Sequence, residues 1–258
     1  MLKIDKYIFR QPNPPHVLLN EKFFSGKYYY LHIKEENKSV IPIYYINKKS
    51  QYVILHSHGN GEDLGNIIYL LEYISYHLNI SIVGYDYLGY GFSSFTNSKN
   101  IFNKNKYPSE EGCYKSIKNV YNYLIDNENY HPDNIILMGQ SIGSGPTIDL
   151  ASKKDIKKVI LISPFRSIIK VVIDNWSMNW FLKYFDFFCN YKKINKIKGK
   201  ILFIHGQKDR LVNIKHSKKM IRKKDYKMFI GDVGHDMIWY KYKNEVITTM
   251  SIFVNLTS

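Results

Sequence analysis

The 258-residue chain carries 37 Lys and Arg against 22 Asp and Glu, a formal charge of +15, with 45% hydrophobic and 16% aromatic residues. That apolar content supports a sizeable core and excludes wholesale disorder. Two cysteines, Cys113 and Cys189, exclude a disulfide framework or a four-cysteine zinc site, so a reducing, intracellular setting is expected. Lys outnumbers Arg 33 to 4 and Ala151 is the single alanine. Base-reading proteins favour Arg, so the basic charge reads first as a codon-bias imprint on solvated positions, and second as a functional basic surface. No nucleic-acid partner is expected. No run reaches the ~18 apolar residues of a membrane span. Charges within Met1–Lys6 interrupt any signal-peptide core, and Leu2 in place of Gly excludes N-myristoylation.

In chain order, residues 1–20 form an extended arm around Gln11-Pro12-Asn13-Pro14-Pro15. Tyr28–Ile33 and Ser39–Ile46 read as a hairpin about Glu35–Lys38. Short apolar runs follow at Tyr52–His56, Ile80–Tyr85, Ile135–Met138, Val159–Ile162, Ile201–His205 and Lys227–Ile230. Their near-continuous apolarity is that of strands covered on both faces. Helical periods lie between them at Leu64–Leu78, Glu110–Asn127, Gly143–Lys153, Lys215–Lys224 and Met237–Val254. This alternation predicts an α/β fold with a mostly parallel central sheet, an antiparallel N-terminal hairpin and helices on both faces. A single domain over 1–258 is expected. The Asn- and Lys-rich stretch 96–106 reads as a polar loop.

The strongest chemical signal is Gly139-Gln140-Ser141-Ile142-Gly143, preceded by an apolar run and followed by a helical one. A serine hydroxyl is a weak nucleophile and must be presented at an exposed point beside a base. A sharp strand-to-helix turn does this by straining the serine backbone, with Gly139 and Gly143 making room. The base is expected at His235, in Gly231–Asp236 between the last strand and the last helix. The orienting carboxylate is expected at Asp209, just past the preceding strand. The order Ser141, Asp209, His235 places both partners at carboxyl ends of strands, where open α/β sheets carry their sites. Asp86 reads as a structural turn acceptor, while Asp232 and Asp236 are too close to His235 to come from a separate strand end. His16, His32, His77, His131 and His216 read as solvated or core-satisfied. A tetrahedral intermediate needs two amide donors. They are expected at Ile142, which follows the nucleophile, and at Asn60 in the turn His58-Gly59-Asn60-Gly61.

These runs resemble the α/β-hydrolases. More narrowly they resemble the α/β hydrolase domain-containing protein 17 group of palmitoyl-protein thioesterases. The resemblance rests on Ser57–Gly65, Tyr85–Ser94, Pro108–Glu110, Ile135–Ser152, Ser163–Phe165, Ile204–Asp209 and Gly234–Asp236. It implies removal of long acyl chains from proteins by a Ser-His-Asp triad through an acyl-enzyme, without metal or organic cofactor. Members of that group carry an N-terminal cysteine cluster that anchors them to membranes, whereas the first cysteine here is Cys113. The alternatives are a lipid esterase acting on monoacylglycerol or lysophospholipid, and a catalytically idle binding module.

Residues 174–198 form a short lid-like aromatic insertion containing Trp176, Trp180, Phe181, Phe185 and Phe188. Trp180 and Phe181 are the candidate acyl-binding residues, set against an aromatic helix face packed on the sheet. The expected partners are an acylated protein or acyl lipid, and an anionic membrane surface met by the Lys-rich face. Composition does not set the oligomeric state.

Overall fold

The computed structural model describes residues 8–16, 24–32, 39–93, 108–175 and 186–256, and the chain divides into two compact units at residue 135. In the first unit, β1 (Lys27–His32) pairs antiparallel with β2 (Val40–Ile46), with Tyr29 opposite Ile43. The hairpin is the expected one, and its turn, 33–38, lies outside the described residues. Strand β2 also pairs antiparallel with β4 (Ser81–Tyr85), and β4 runs parallel to β3 (Val53–Ser57). Helix α1 (Leu64–Leu78) links β3 to β4 and buries Leu64, Ile67, Ile68, Leu71 and Ile74, positions spaced to form one helical face. Asp63 caps it by accepting the Asn66 N–H, and the same carboxylate accepts the His16 N–H from the arm. Helix α2 (Glu110–Asp126) starts at the Ser109 cap and carries Glu110 and Glu111 in its first turn, where the helix dipole favours acid.

The second unit holds β5 (Ile135–Gln140), β6 (Lys158–Ile162), β7 (Lys200–Gly206) and β8 (Tyr226–Ile230), each parallel to the next. Strands β5, β6 and β7 are buried along nearly their whole length, as their unbroken apolar runs require. Helix α3 (Ser144–Lys153) follows β5, and α4 (Ile168–Asn175) follows β6. The short helices α5 (Asn190–Lys193) and α6 (Lys215–Lys218) flank β7.

Two predicted helices differ from their sequence outline. The helix expected over Lys215–Lys224 ends at Lys218. There the chain turns so that the Asp225 carboxylate takes the Ile201 N–H and the Arg222 guanidinium, while Arg222 also donates to the carbonyls of Ile197 and Gly199. A continued helix would leave those backbone groups unpaired. The helix expected over Met237–Val254 is two, α7 (Ile238–Lys241) and α8 (Lys243–Asn255), divided where Tyr242 leaves the helical region at φ −129° and ψ 26°. Among the described residues no helix is long and apolar enough to cross a membrane.

Candidate active site

Strand β5 delivers its last residues into a reversal. Ser141 adopts φ +49°, in the left-handed region, and a single 3-10 turn over Ser141–Gly143 runs directly into α3. A residue with a Cβ rarely takes this conformation without local support. Support comes from Ser144, whose Oγ donates to the Ser141 carbonyl at 2.7 Å. Gly139 permits the turn, because a Cβ there would stand 2.4 Å from Thr147 Oγ1 and 2.5 Å from the Gly143 carbonyl. Gly143 itself sits within the turn at φ −60°. The buried Ile142 is the middle residue of that turn, next to Ser141, and α3 follows at Ser144.

Asp209 follows β7 and is almost fully buried. Its Oδ1 accepts the backbone N–H groups of Leu211 and Val212 at 2.9 and 2.8 Å. The next strand's loop is drawn onto this turn by two backbone bonds, Gln207 N–H to the Ile230 carbonyl and Lys208 N–H to the Val233 carbonyl. Gly206 makes that approach possible, since a Cβ would come within 2.3 Å of the Val233 carbonyl. The loop thereby carries His235 to Asp209, with Nδ1 2.6 Å from Oδ2. The other ring nitrogen, Nε2, lies 2.9 Å from Ser141 Oγ.

A carboxylate only accepts, so Nδ1 of His235 carries the proton and Nε2 is the acceptor for the serine hydroxyl. The three side chains expected to work together are thus joined in one hydrogen-bonded chain within the second unit. Burial alone would raise the Asp209 pKa. Hydrogen bonds from His205 and His235, the electrostatic pull of His235 and the Val212 N–H outweigh it and hold the carboxyl well below its ordinary range.

Two contacts were not expected from sequence. Trp239 donates its indole N–H to Gln140 Oε1 at 2.9 Å, tying the residue before Ser141 to α7 behind the His235 loop. His205, fully buried at the end of β7, places Nε2 3.2 Å from Asp209 Oδ2. The i,i+4 spacing of His205 and Asp209 across the strand end is the one signal in the sequence that marks this pair. A shallow depression of about 600 Å³, lined by Gln207, Lys208, Asp209, Arg210 and Asn213, opens beside the acid.

Asn60 belongs to the first unit, where its side chain is fully engaged. Oδ1 accepts from the Arg10 N–H and the Tyr90 hydroxyl, and Nδ2 donates to the Ile8 carbonyl. Trp180 and Phe181 lie outside the described residues, as does the loop 96–106. His216 is buried and accepts the Arg166 N–H on Nδ1. Among the described residues no group of three or more His, Cys, Asp and Glu is arranged to hold a metal ion.

The chain is similar to known proteins in sequence and in fold. The chain is 36% identical over 211 residues to the protein named "Putative alpha/beta hydrolase L404" of Acanthamoeba polyphaga mimivirus, a match covering 78% of this chain and 75% of that one. It is also 36% identical over 171 residues to human alpha/beta hydrolase domain-containing protein 17C, covering 66% of this chain and 48% of the human protein. The chain therefore spans about half the length of the 17C relatives it matches. Among solved structures, the esterase Pf2001 of Pyrococcus furiosus superposes with a TM-score of 0.71 at 19% identity, covering 93% of this chain and 97% of that one. A predicted hydrolase of Thermoplasma acidophilum superposes with a TM-score of 0.62 at 17% identity, covering 90% and 99%. No family model matches the sequence.

Proposed function

Because this chain belongs to the α/β-hydrolase family, with the fold of that family, we propose that it is a serine hydrolase that cleaves acyl esters and thioesters, and specifically a palmitoyl-protein thioesterase. The observation that carries the reading is the chain of hydrogen bonds from Asp209 through His235 to Ser141, with Ser141 held at positive φ. The substrate class rests on the resemblance to the domain-containing protein 17 group. Ser141 Oγ attacks the acyl carbonyl carbon while His235 Nε2 takes its proton. The negative oxygen that forms is received by the Ile142 amide. His235 then returns the proton to the departing thiolate or alkoxide, leaving an acyl-enzyme on Ser141. In the second half, His235 deprotonates a water that attacks the same carbon, and the fatty acid leaves as Ser141 regains its proton. Asp209, kept ionised, holds the imidazole in the tautomer both halves need. The Lys-rich surface supplies weak, salt-screened attraction to anionic lipid on a cytosolic membrane face.

The test is labelling by a fluorophosphonate probe, followed by competition with acyl-thioester and acylglycerol substrates. Wild type labels, and Ser141→Ala does not and loses at least about 10⁴-fold in hydrolysis. Undiminished labelling of Ser141→Ala overturns the assignment. Stronger competition by acylglycerols than by thioesters redirects it to a lipid esterase, and a wild type that never labels makes the chain a binding module.

A further inference from the structure

His205 is a buried histidine for which the reaction sketched above has no use, yet every polar atom it carries is committed. Its Nε2 lies 2.8 Å from the Val212 carbonyl, its Nδ1 lies 2.7 Å from Ser217 Oγ, and the side chain is fully buried. A carbonyl only accepts, so Nε2 carries a proton and donates it to Val212, while Nδ1 shares a hydrogen bond with the Ser217 hydroxyl. The Val212 carbonyl therefore fixes Nε2 as a donor. The N–H edge so defined also faces Asp209 Oδ2 at 3.2 Å, the oxygen that receives the His235 Nδ1–H. Val212 closes the arrangement. Its carbonyl is held by His205, while its N–H donates to Asp209 Oδ1 at 2.8 Å.

We propose that His205 is a positioning residue for the reaction, holding the Asp209 carboxylate in place and drawing charge from it through the Nε2–H edge that faces it. It acts by two routes. One fixes the loop whose amides grip Oδ1. The other sets a donor edge against Oδ2, so that the carboxylate stays ionised in a buried site and points at His235 rather than turning away. The substrate never touches His205. The inference rests on the serine-hydrolase reading of Ser141.

The variants are chosen by reach. Gln places an amide nitrogen where Nε2 stands and can keep the donor to Val212 and Asp209. Asn reaches only the Nδ1 position beside Ser217, and Leu removes both nitrogens. Hydrolysis of a soluble thioester is followed against pH, with folding checked by thermal melts. His205→Leu, if it folds, is expected to lose about 10- to 100-fold in kcat with KM little changed. Its acid limb of kcat/KM moves to higher pH, because an Asp209 with one donor fewer is more basic and stabilises the protonated His235. His205→Gln recovers most of the rate and the wild-type limb, whereas His205→Asn recovers neither. In an Asp209→Asn background, replacing His205 has little further effect.

A folded His205→Leu with wild-type rate and limb overturns the proposal. So does equal activity of the Gln and Asn variants, which also decides the matter should the Leu variant not fold. Effects that simply add to those of Asp209→Asn overturn it too. Failure of the wild type to label with fluorophosphonate strikes the serine-hydrolase reading instead, so the two failures are separate.

Discussion

His235 and Asp209 in the second unit meet at 2.6 Å, whereas His58 and Asp86 in the first stand 3.9 Å apart, both fully buried. Each is a histidine beside an aspartate near the end of a strand, but the two carboxyls are shifted in opposite directions. Burial pushes Asp86 up to about 7, because its two backbone donors, the Leu64 and Phe92 N–H groups, recover only part of the lost hydration and the charge of Asp63 opposes ionisation further. Burial likewise brings His58 down to about 4, and its Nδ1 is spent on the adjacent Gly59 carbonyl. Burial also opposes ionisation of Asp209, yet it stays ionised, since two backbone amides and two imidazoles converge on it. The lesson is that a buried carboxylate is a permanent charge only when enough donors surround it. Proximity to a histidine does not suffice. Asp86 fastens the first turn of α1 to the Gly91–Ser93 turn, as its sequence position at a strand end suggested.

The comparison breaks most sharply under amide substitution. Asp209→Asn is expected to cost about 10⁴-fold in kcat/KM, because an amide at Oδ2 stabilises the wrong histidine tautomer and cannot balance the imidazolium. Asp86→Asn is expected to leave kcat/KM within about threefold and to cost about 1 kcal/mol in a denaturant melt, the size of one impaired hydrogen bond. Steady-state hydrolysis of one thioester by the two variants decides this. A comparable loss in both would remove the distinction.

A subtler contrast lies in stability against pH. Asp86 has a folded pKa raised from the ordinary 3.8 to about 7, so its contribution is fully present below 3.8 and is lost as pH rises to about 7. Asp209 has a depressed folded pKa, so its contribution is present above the ordinary carboxylate range and is lost as pH falls toward the folded value. Melting temperatures measured from pH 4 to 7 should therefore show a downward component that Asp86→Asn removes. In melts extended below about pH 4, the acid-side loss should shrink in Asp209→Asn. Identical slopes in wild type and Asp86→Asn would mean that Asp86 is ionised throughout.

The smallest expected effect concerns Trp239. Trp239→Phe removes the donor to Gln140 Oε1 while keeping an aromatic ring, and should cost about 1 kcal/mol with a rate reduced only a few-fold. A thermal melt and a rate at saturating substrate measure both. A loss as large as that of Asp209→Asn would place Trp239 in the catalytic machinery.

Much of this was legible beforehand for a simple reason. Strands such as Val159–Ile162 and helices such as Leu64–Leu78 are patterned by burial on one or both faces, and burial is written into local apolar spacing. Helix boundaries set by distant groups were not. The early stop at Lys218 depends on Arg222 and Asp225 serving carbonyls and an amide near β7, which no short window around 215–224 contains.

The sequence by itself determined the order and strand-end positions of Ser141, Asp209 and His235, because a glycine-flanked strand-to-helix turn and two strand-end loops are local patterns with local turn chemistry. Only the tertiary structure decided that His205 also faces Asp209, that His235 turns Nδ1 to the same carboxylate, and that burial pushes Asp86 up to about 7 while converging donors hold Asp209 below its ordinary range. Those outcomes depend on how many donors reach a carboxyl once water is gone, and the donors come from segments that only folding brings together.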